Sequence, residues 1–159
     1  TTVGNAQKAE ACLKAGAHHA VQYRDTDFES EVRQATDGAG VDVILDMVGG
    51  SYINKNLRLL ALNGRLVQIA FLEGSKAEID ALPIMTKRLQ FTGSTLRPRS
   101  DEDKGAIAQA LAAKVLPLME NGQCQPLIHQ VFPLVEAARA HELMESSRHI
   151  GKIMLQVRP

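Results

Sequence analysis

The sequence has no excess of either charge: Lys and Arg together number 18, as do Asp and Glu, for a formal net charge of +0. Proteins that grip a phosphate backbone normally carry a basic surplus, so nucleic acid is not an expected partner. The same balance removes any broad attraction to an anionic membrane surface. No apolar run approaches the roughly 18 residues a membrane-spanning helix needs, so no membrane partner is expected either. The first residues lack both the charged and the apolar region of a secretory signal, which makes the cytoplasm the expected compartment. Only two cysteines occur, Cys12 and Cys124, far apart and at no metal or redox spacing. The histidines (His18, His19, His129, His141, His149) form no HxxxH or HExxH pair, so no metal site is expected. Methionine is absent from the first position, and Thr1-Thr2-Val3 reads like the interior of a longer polypeptide.

What is present is an alternation of short β-branched runs with amphipathic helical stretches. Asn5 is placed to cap a helix through Ala15, with Ala9, Cys12 and Leu13 on one face and Gly16 closing it. His19–Tyr23 reads as a strand. Thr26-Asp27-Phe28-Glu29 reads as a capping box ahead of a second helix that turns Phe28, Val32 and Ala35 inward. Gly38-Ala39-Gly40 leads into Val41–Val48, an apolar run of the kind buried in parallel sheets. Gly49-Gly50 precedes a helix with Ile53, Leu57 and Leu60 inward, which Asn63-Gly64 is expected to end. Arg65–Ala70 reads as a strand, Ala81–Lys87 as a short helix and Leu89–Leu96 as another strand. Ser100 opens a long helix with Ile107, Leu111, Val115 and Leu118 inward. Ile128–Phe132 and Ile153–Val157 are expected strands, separated by a helix with Pro133 at its first position and Leu134, Ala137, Ala138, His141 and Met144 on its face. Strands joined by helices run parallel with right-handed crossovers. The expected fold is therefore α/β, a Rossmann-like doubly wound parallel sheet.

In such sheets ligands sit at the carboxyl ends of the strands, so chemistry is sought in the strand-to-helix turns. A dinucleotide fold needs a Gly-rich turn after its first strand, and none occurs in a usable place. Gly38-Ala39-Gly40 precedes a strand and lacks the third glycine, which makes it a plain connection. Gly49-Gly50 is better placed, either as a tight turn or as a cofactor contact. An NAD-preferring fold ends its second strand on an acid that accepts the ribose 2′-hydroxyl. Gly4 and Asn5 occupy that place here, and Lys8 lies in the first turn of the following helix. A cation at the positive end of a helix favours a counter-anion such as a 2′-phosphate; the alternative is a solvated surface lysine. No residue reads as a general acid or base. Asp42 and Asp46 are expected to hydrogen-bond neighbouring turns, and His141 to be packed.

Several segments together carry a resemblance. Thr2-Val3-Gly4-Asn5-Ala6-Gln7-Lys8-Ala9, Lys14-Ala15-Gly16-Ala17 and Val21-Gln22-Tyr23-Arg24 are similar to the zinc-independent quinone oxidoreductases, the zeta-crystallin-like branch of the medium-chain dehydrogenase/reductase superfamily. Asp46-Met47-Val48-Gly49-Gly50, Leu62-Asn63-Gly64-Arg65, Gly93-Ser94-Thr95-Leu96-Arg97 and His149-Ile150-Gly151-Lys152-Ile153 continue it in register, so it covers essentially the whole chain.

The resemblance implies a sheet truncated before its first strand and Gly-rich turn. Residues 1–125 would form the nucleotide-binding domain without its first βα unit. Residues 126–159 would form an αβ tail returning towards an absent GroES-like catalytic domain. The implied cofactor is NADP(H), with Lys8 and Tyr23 on the adenosine 2′-phosphate, and Gly4 and Asn5 beside the ribose. Arg24 either assists or is a solvated charge. Val48, Gly49, Phe71 and Leu72 would line the path from adenosine to nicotinamide, and Ser94, Leu96 and Arg97 the nicotinamide carboxamide. His149 falls where relatives carry a cofactor-touching asparagine, though by itself it reads as a surface histidine. The implied reaction is zinc-free hydride transfer from NADPH to a quinone or activated enone, in a homodimer paired through the Leu89–Leu96 edge strand. Alternatives on the same fold are an enoyl reductase or an alcohol dehydrogenase; a non-catalytic nucleotide-binding and dimerisation domain is a third reading.

Overall fold

A computed structural model describes residues 1–158. The chain divides into two compact units, Thr1–Arg99 and a second beginning at Ser100. Among the described residues, no helix is long and apolar enough to cross a membrane.

In the first unit β1 (Thr2–Val3) leads to α1 (Ala6–Lys14), β2 (Val21–Gln22), α2 (Phe28–Ala35), β3 (Val41–Asp46), α3 (Tyr52–Leu59), β4 (Leu60–Gln68), α4 (Leu82–Thr86) and β5 (Gln90–Gly93). Every pairing is parallel, as the intervening helices require. The strands form two separate sheets, β1-β2 and β3-β4-β5. Between them lies a cleft of about 570 Å³, with Thr2, Phe28, Val43, Leu45, Met47 and Tyr52 on its walls. The run Val41–Val48 was expected to be buried. It is a strand only as far as Asp46, and Val43, Leu45 and Met47 are exposed. The reason is local: side chains alternate across a strand, so Ile44 packs against the core while Val43 and Leu45 stand on the opposite face, on the cleft wall.

Helix boundaries follow their caps. Asn5 caps α1 as expected, its Oδ1 accepting the Lys8 backbone N–H at 2.9 Å, and Gly16 follows the helix at φ 103°. For α2 the expected Thr26 box is replaced by Asp27. The Thr26 hydroxyl donates back to the Gln22 carbonyl, while the Asp27 carboxylate accepts from both the Ser30 N–H and its hydroxyl. The third helix stops at Leu59, four residues before Asn63-Gly64. Leu60 is already extended and pairs with Val41, residues 61–64 bulge out with Asn63 at φ 62°, and Arg65 resumes opposite Val43.

The core of this unit is Ile53, Leu57, Leu60, Leu66 and Leu89, with Val41, Ile44 and Ile84 packed against it. Lys87 closes it from below α3: its Nζ donates to the carbonyls of Arg58 and Leu60 at 2.8 and 2.7 Å, meeting the orphan acceptors of the helix end. Burial, then repulsion from Arg33, lowers its pKa. Helices α2 and α3 are clamped together. Phe28 stacks on Tyr52 with ring centroids 4.7 Å apart, Lys55 pairs with Asp27 at 2.7 Å, and Arg58 forks onto Glu29, which also holds Arg33.

The second unit holds α5 (Asp101–Lys114), α6 (Leu116–Glu120), β6 (Ile128–Pro133), a 3₁₀ turn (Leu134–Glu136), α7 (Ala137–Glu145) and β7 (Lys152–Gln156). Ser100 caps α5 as expected. The single long helix is instead two, broken at Val115 because Pro117 opens a new first turn. Ile107, Leu111 and Leu118 are exposed rather than inward. Pro133 ends β6 instead of starting a helix. The buried position of α7 is Ala140, and His141 is exposed, not packed. Strands β6 and β7 pair parallel in a sheet of their own.

Candidate functional site

The carboxyl ends of β3, β4 and β5 are level: Asp46 pairs with Gln68, and Gln68 with Gly93. Three turns therefore leave the sheet along one edge, at residues 47–50, 69–74 and 94–97. The first two are zipped together. Met47 and Val48 carbonyls accept the Leu72 and Glu73 N–H groups at 3.1 and 2.8 Å, and the Gly50 N–H donates to the Gly74 carbonyl at 2.9 Å. Gly49 stands at φ 73°, and a Cβ there would lie 2.6 Å from the Gly74 carbonyl oxygen and 2.7 Å from the Phe71 ring. Among the predicted site residues, Val48, Gly49 and Phe71 are thus brought together. Leu72 joins them through its backbone, its side chain 74% exposed. Ser94 leaves β5 by donating its N–H to the Gln68 carbonyl at 3.0 Å, and Leu96 and Arg97 beyond it are exposed.

A second cluster forms where β1 and β2 end. Tyr23 donates its N–H to the Val3 carbonyl at 3.1 Å, which sets Tyr23 and Arg24 beside the turn at Gly4. A Cβ on Gly4 would lie 3.3 Å from the Tyr23 hydroxyl and 3.6 Å from Arg24 Nε, so both side chains lean over this glycine. Asn5 and the half-buried Lys8 follow in the first turn of α1. Predicted residues Gly4, Asn5, Lys8 and Tyr23 therefore share one place. Tyr23 also meets Tyr52 edge to face, with centroids 6.4 Å apart. Burial pushes the Tyr52 phenol pKa up, and a hydrogen bond with Thr2 partly offsets this. Tyr23, Val48 and Leu72 line the same cleft, so both clusters border it. His149 belongs to the second unit, where its ring meets His129 edge to face at 6.4 Å.

Sequence reasoning gave little weight to Arg24 and none to Asn56 or Gln68. Asp46 behaves as expected, bonding the adjacent turn, while Asp42 is exposed. An Asp three residues before a Gly-Gly turn is the signal for such a bond. Nothing in the sequence spacing marks Asn56 as its partner ten residues on. Among the described residues, no group of three or more His, Cys, Asp or Glu is arranged to hold a metal ion.

Residues 15–155 match the family described as zinc-binding dehydrogenase. The chain is 31% identical over 157 residues to quinone oxidoreductase of Sus scrofa, covering 97% of this chain and 45% of that protein. It is 32% identical over 162 residues to 2-haloacrylate reductase of Burkholderia sp, covering 97% and 46%. The crystal structure of CurK enoyl reductase superposes with a TM-score of 0.77 at 27% identity, over 99% of this chain and 46% of that one. The chain thus spans about half the length of these three reductases. It belongs to the zinc-binding dehydrogenase family, within the medium-chain dehydrogenase/reductase superfamily of NAD(P)-dependent oxidoreductases.

Proposed function

We propose that the chain is the nucleotide-binding portion of a zinc-free, NADPH-dependent reductase that passes hydride to a quinone or a related activated enone. One observation carries the choice of NADPH over NADH: the turn after β1 has Gly4 and Asn5 where an acid would take a ribose 2′-hydroxyl, with Tyr23 and Arg24 leaning over it and Lys8 in the next turn. A phosphate fits this place. Gly4 keeps a Cβ out from beneath the Tyr23 hydroxyl, Arg24 Nε stands beside it, and Lys8 lies in the first turn of α1, the positive end of that helix. Lys8 and Tyr23 hold the 2′-phosphate, and Arg24 adds charge. Val48, Gly49, Phe71 and Leu72 pass the cofactor along the strand ends, and the segment Ser94–Arg97 receives its nicotinamide end. NADPH supplies the hydride; the protein orients it and keeps competing reactions out. The names of the relatives, quinone oxidoreductase, 2-haloacrylate reductase and enoyl reductase, support an acceptor with an activated double bond.

Calorimetric titration of the chain with 2′,5′-ADP and with 5′-AMP tests the reading. The 2′-phosphate is expected to raise affinity about tenfold or more, the scale of a charged hydrogen bond, and Lys8→Ala to abolish that preference. Equal affinity for the two nucleotides would defeat the assignment. The isolated chain is expected to oxidise no NADPH with a quinone above the uncatalysed rate, because it spans about half the length of the reductases it matches.

A further inference from the structure

Among the described residues the buried polar side chains are Asp46, Asn56 and Gln68, and all three meet at the carboxyl ends of β3 and β4. Asp46 is 3% exposed and organises the group. One carboxylate oxygen accepts the backbone N–H groups of Val48 and Gly49 at 2.6 and 3.2 Å, and the other accepts the Asn56 amide at 3.2 Å. The Gln68 amide donates to the backbone carbonyls of Asp46 and Ala70 at 3.3 and 2.7 Å. Burying a carboxylate with no cation against it is costly, and packing β3 against α3 requires only an apolar side chain. What this arrangement adds is geometry. It fixes Met47–Gly49 from inside the sheet, while the 71–74 turn grips the same residues from outside.

We propose that Asp46 is a positioning residue for the cofactor turn, with Asn56 as the residue that orients it. Asp46 touches no nucleotide. It sets the direction of the Val48-Gly49 backbone, and α3 holds the carboxylate in place through Asn56. The inference rests on the cofactor path proposed above, and its test separates the two.

The test uses Asp46→Ala, Asp46→Asn and the exchange pair D46N/N56D, with two readouts: amide hydrogen exchange at Val48 and Gly49, and NADPH affinity by calorimetry. Asp46→Asn sets an amide donor against the Asn56 amide. The exchange pair restores a donor facing an acceptor: the amide on β3 offers its carbonyl oxygen to the turn, and the carboxylate on α3 accepts from its NH₂ group. Expected are exchange at Val48 and Gly49 faster by on the order of tenfold in Asp46→Ala, unchanged exchange at Ile44 and Leu66 in the same sheet, and weaker NADPH binding. Asp46→Asn is intermediate, and the exchange pair recovers both readouts. A merely stabilising carboxylate would raise exchange across the whole sheet, and that result overturns the inference. So does an Asp46→Ala chain with loosened amides but undiminished NADPH affinity. If the unsubstituted chain binds no NADPH, the cofactor reading fails, and so does the cofactor part of this inference; the exchange data still decide whether Asp46 holds the turn.

Discussion

A methyl group at residue 49 has nowhere to go. The backbone is at φ 73°, and the Gly74 carbonyl oxygen and Phe71 ring already fill the space. Gly49→Ala is expected to cost about 1–3 kcal/mol, read from the urea midpoint, and to open the zipped turns. Asp27 offers a pH-dependent case. Hydrogen bonds from Lys55, then Ser30, lower its pKa to about 2. A lowered carboxylate pKa contributes stability above the unfolded value near 3.8 and loses it as pH falls towards 2. Asparagine also caps well, so Asp27→Asn removes the charge while keeping the cap. The stability gap between parent and variant is expected at pH 5 and to shrink towards pH 2.5; because this pair is exposed, its size is under about 1 kcal/mol. A gap that ignores pH would refute the assignment. At this scale the sequence was legible where a residue acts on its own backbone, as Asn5 and Ser100 do. It was misleading at Thr26, where two capping residues stand side by side and only the path of the chain into Gln22 decides between them.

The elements show a similar division. Parallel pairing was legible because a helix between strands leaves no other direction, and β5 was legible as an edge. Its pairing tests the homodimer that the resemblance implies. The Ser94 N–H points to Gln68 in β4, so by alternation the Phe91 N–H points away from the sheet. Proline is tolerated at such a position, yet it removes a donor that a second copy would need. Phe91→Pro is therefore expected to keep the circular dichroism of the parent while sedimenting as a monomer. A parent chain that already sediments as a monomer, or a variant that remains dimeric, would count against the β5 seam. What periodicity hid was burial. Val43 and Leu45 are apolar as a parallel strand demands, but burial needs a covered face, and it is the opposite face, with Ile44, that packs against the core. In α5 and α6 a regular apolar spacing concealed the break, although Pro117 stood in plain sight.

For the molecule as a whole, the core and the cleft make opposite demands on similar side chains. Leu57 is 0% exposed at the centre of the five-residue cluster, and Leu57→Ala is expected to cost about 2–5 kcal/mol. Leu45 is 66% exposed on the cleft wall, and Leu45→Lys is expected to stay within about 0.5 kcal/mol. Urea denaturation of both variants checks the pair, and equal losses would mean the cleft is closed in solution. The clamp between α2 and α3 has a further consequence, for cooperativity. No strand pairing connects β1-β2 to β3-β4-β5, so the two sheets are expected to open separately within Thr1–Arg99, coupled through the rings of Tyr23, Phe28 and Tyr52 and a few ion pairs. Native-state exchange should then fall into two classes within Thr1–Arg99, with the amides of β1 and β2 opening at lower free energy than those of β3 and β4. Salt should widen the gap, because it weakens the ion pairs of the clamp and leaves the leucine core untouched.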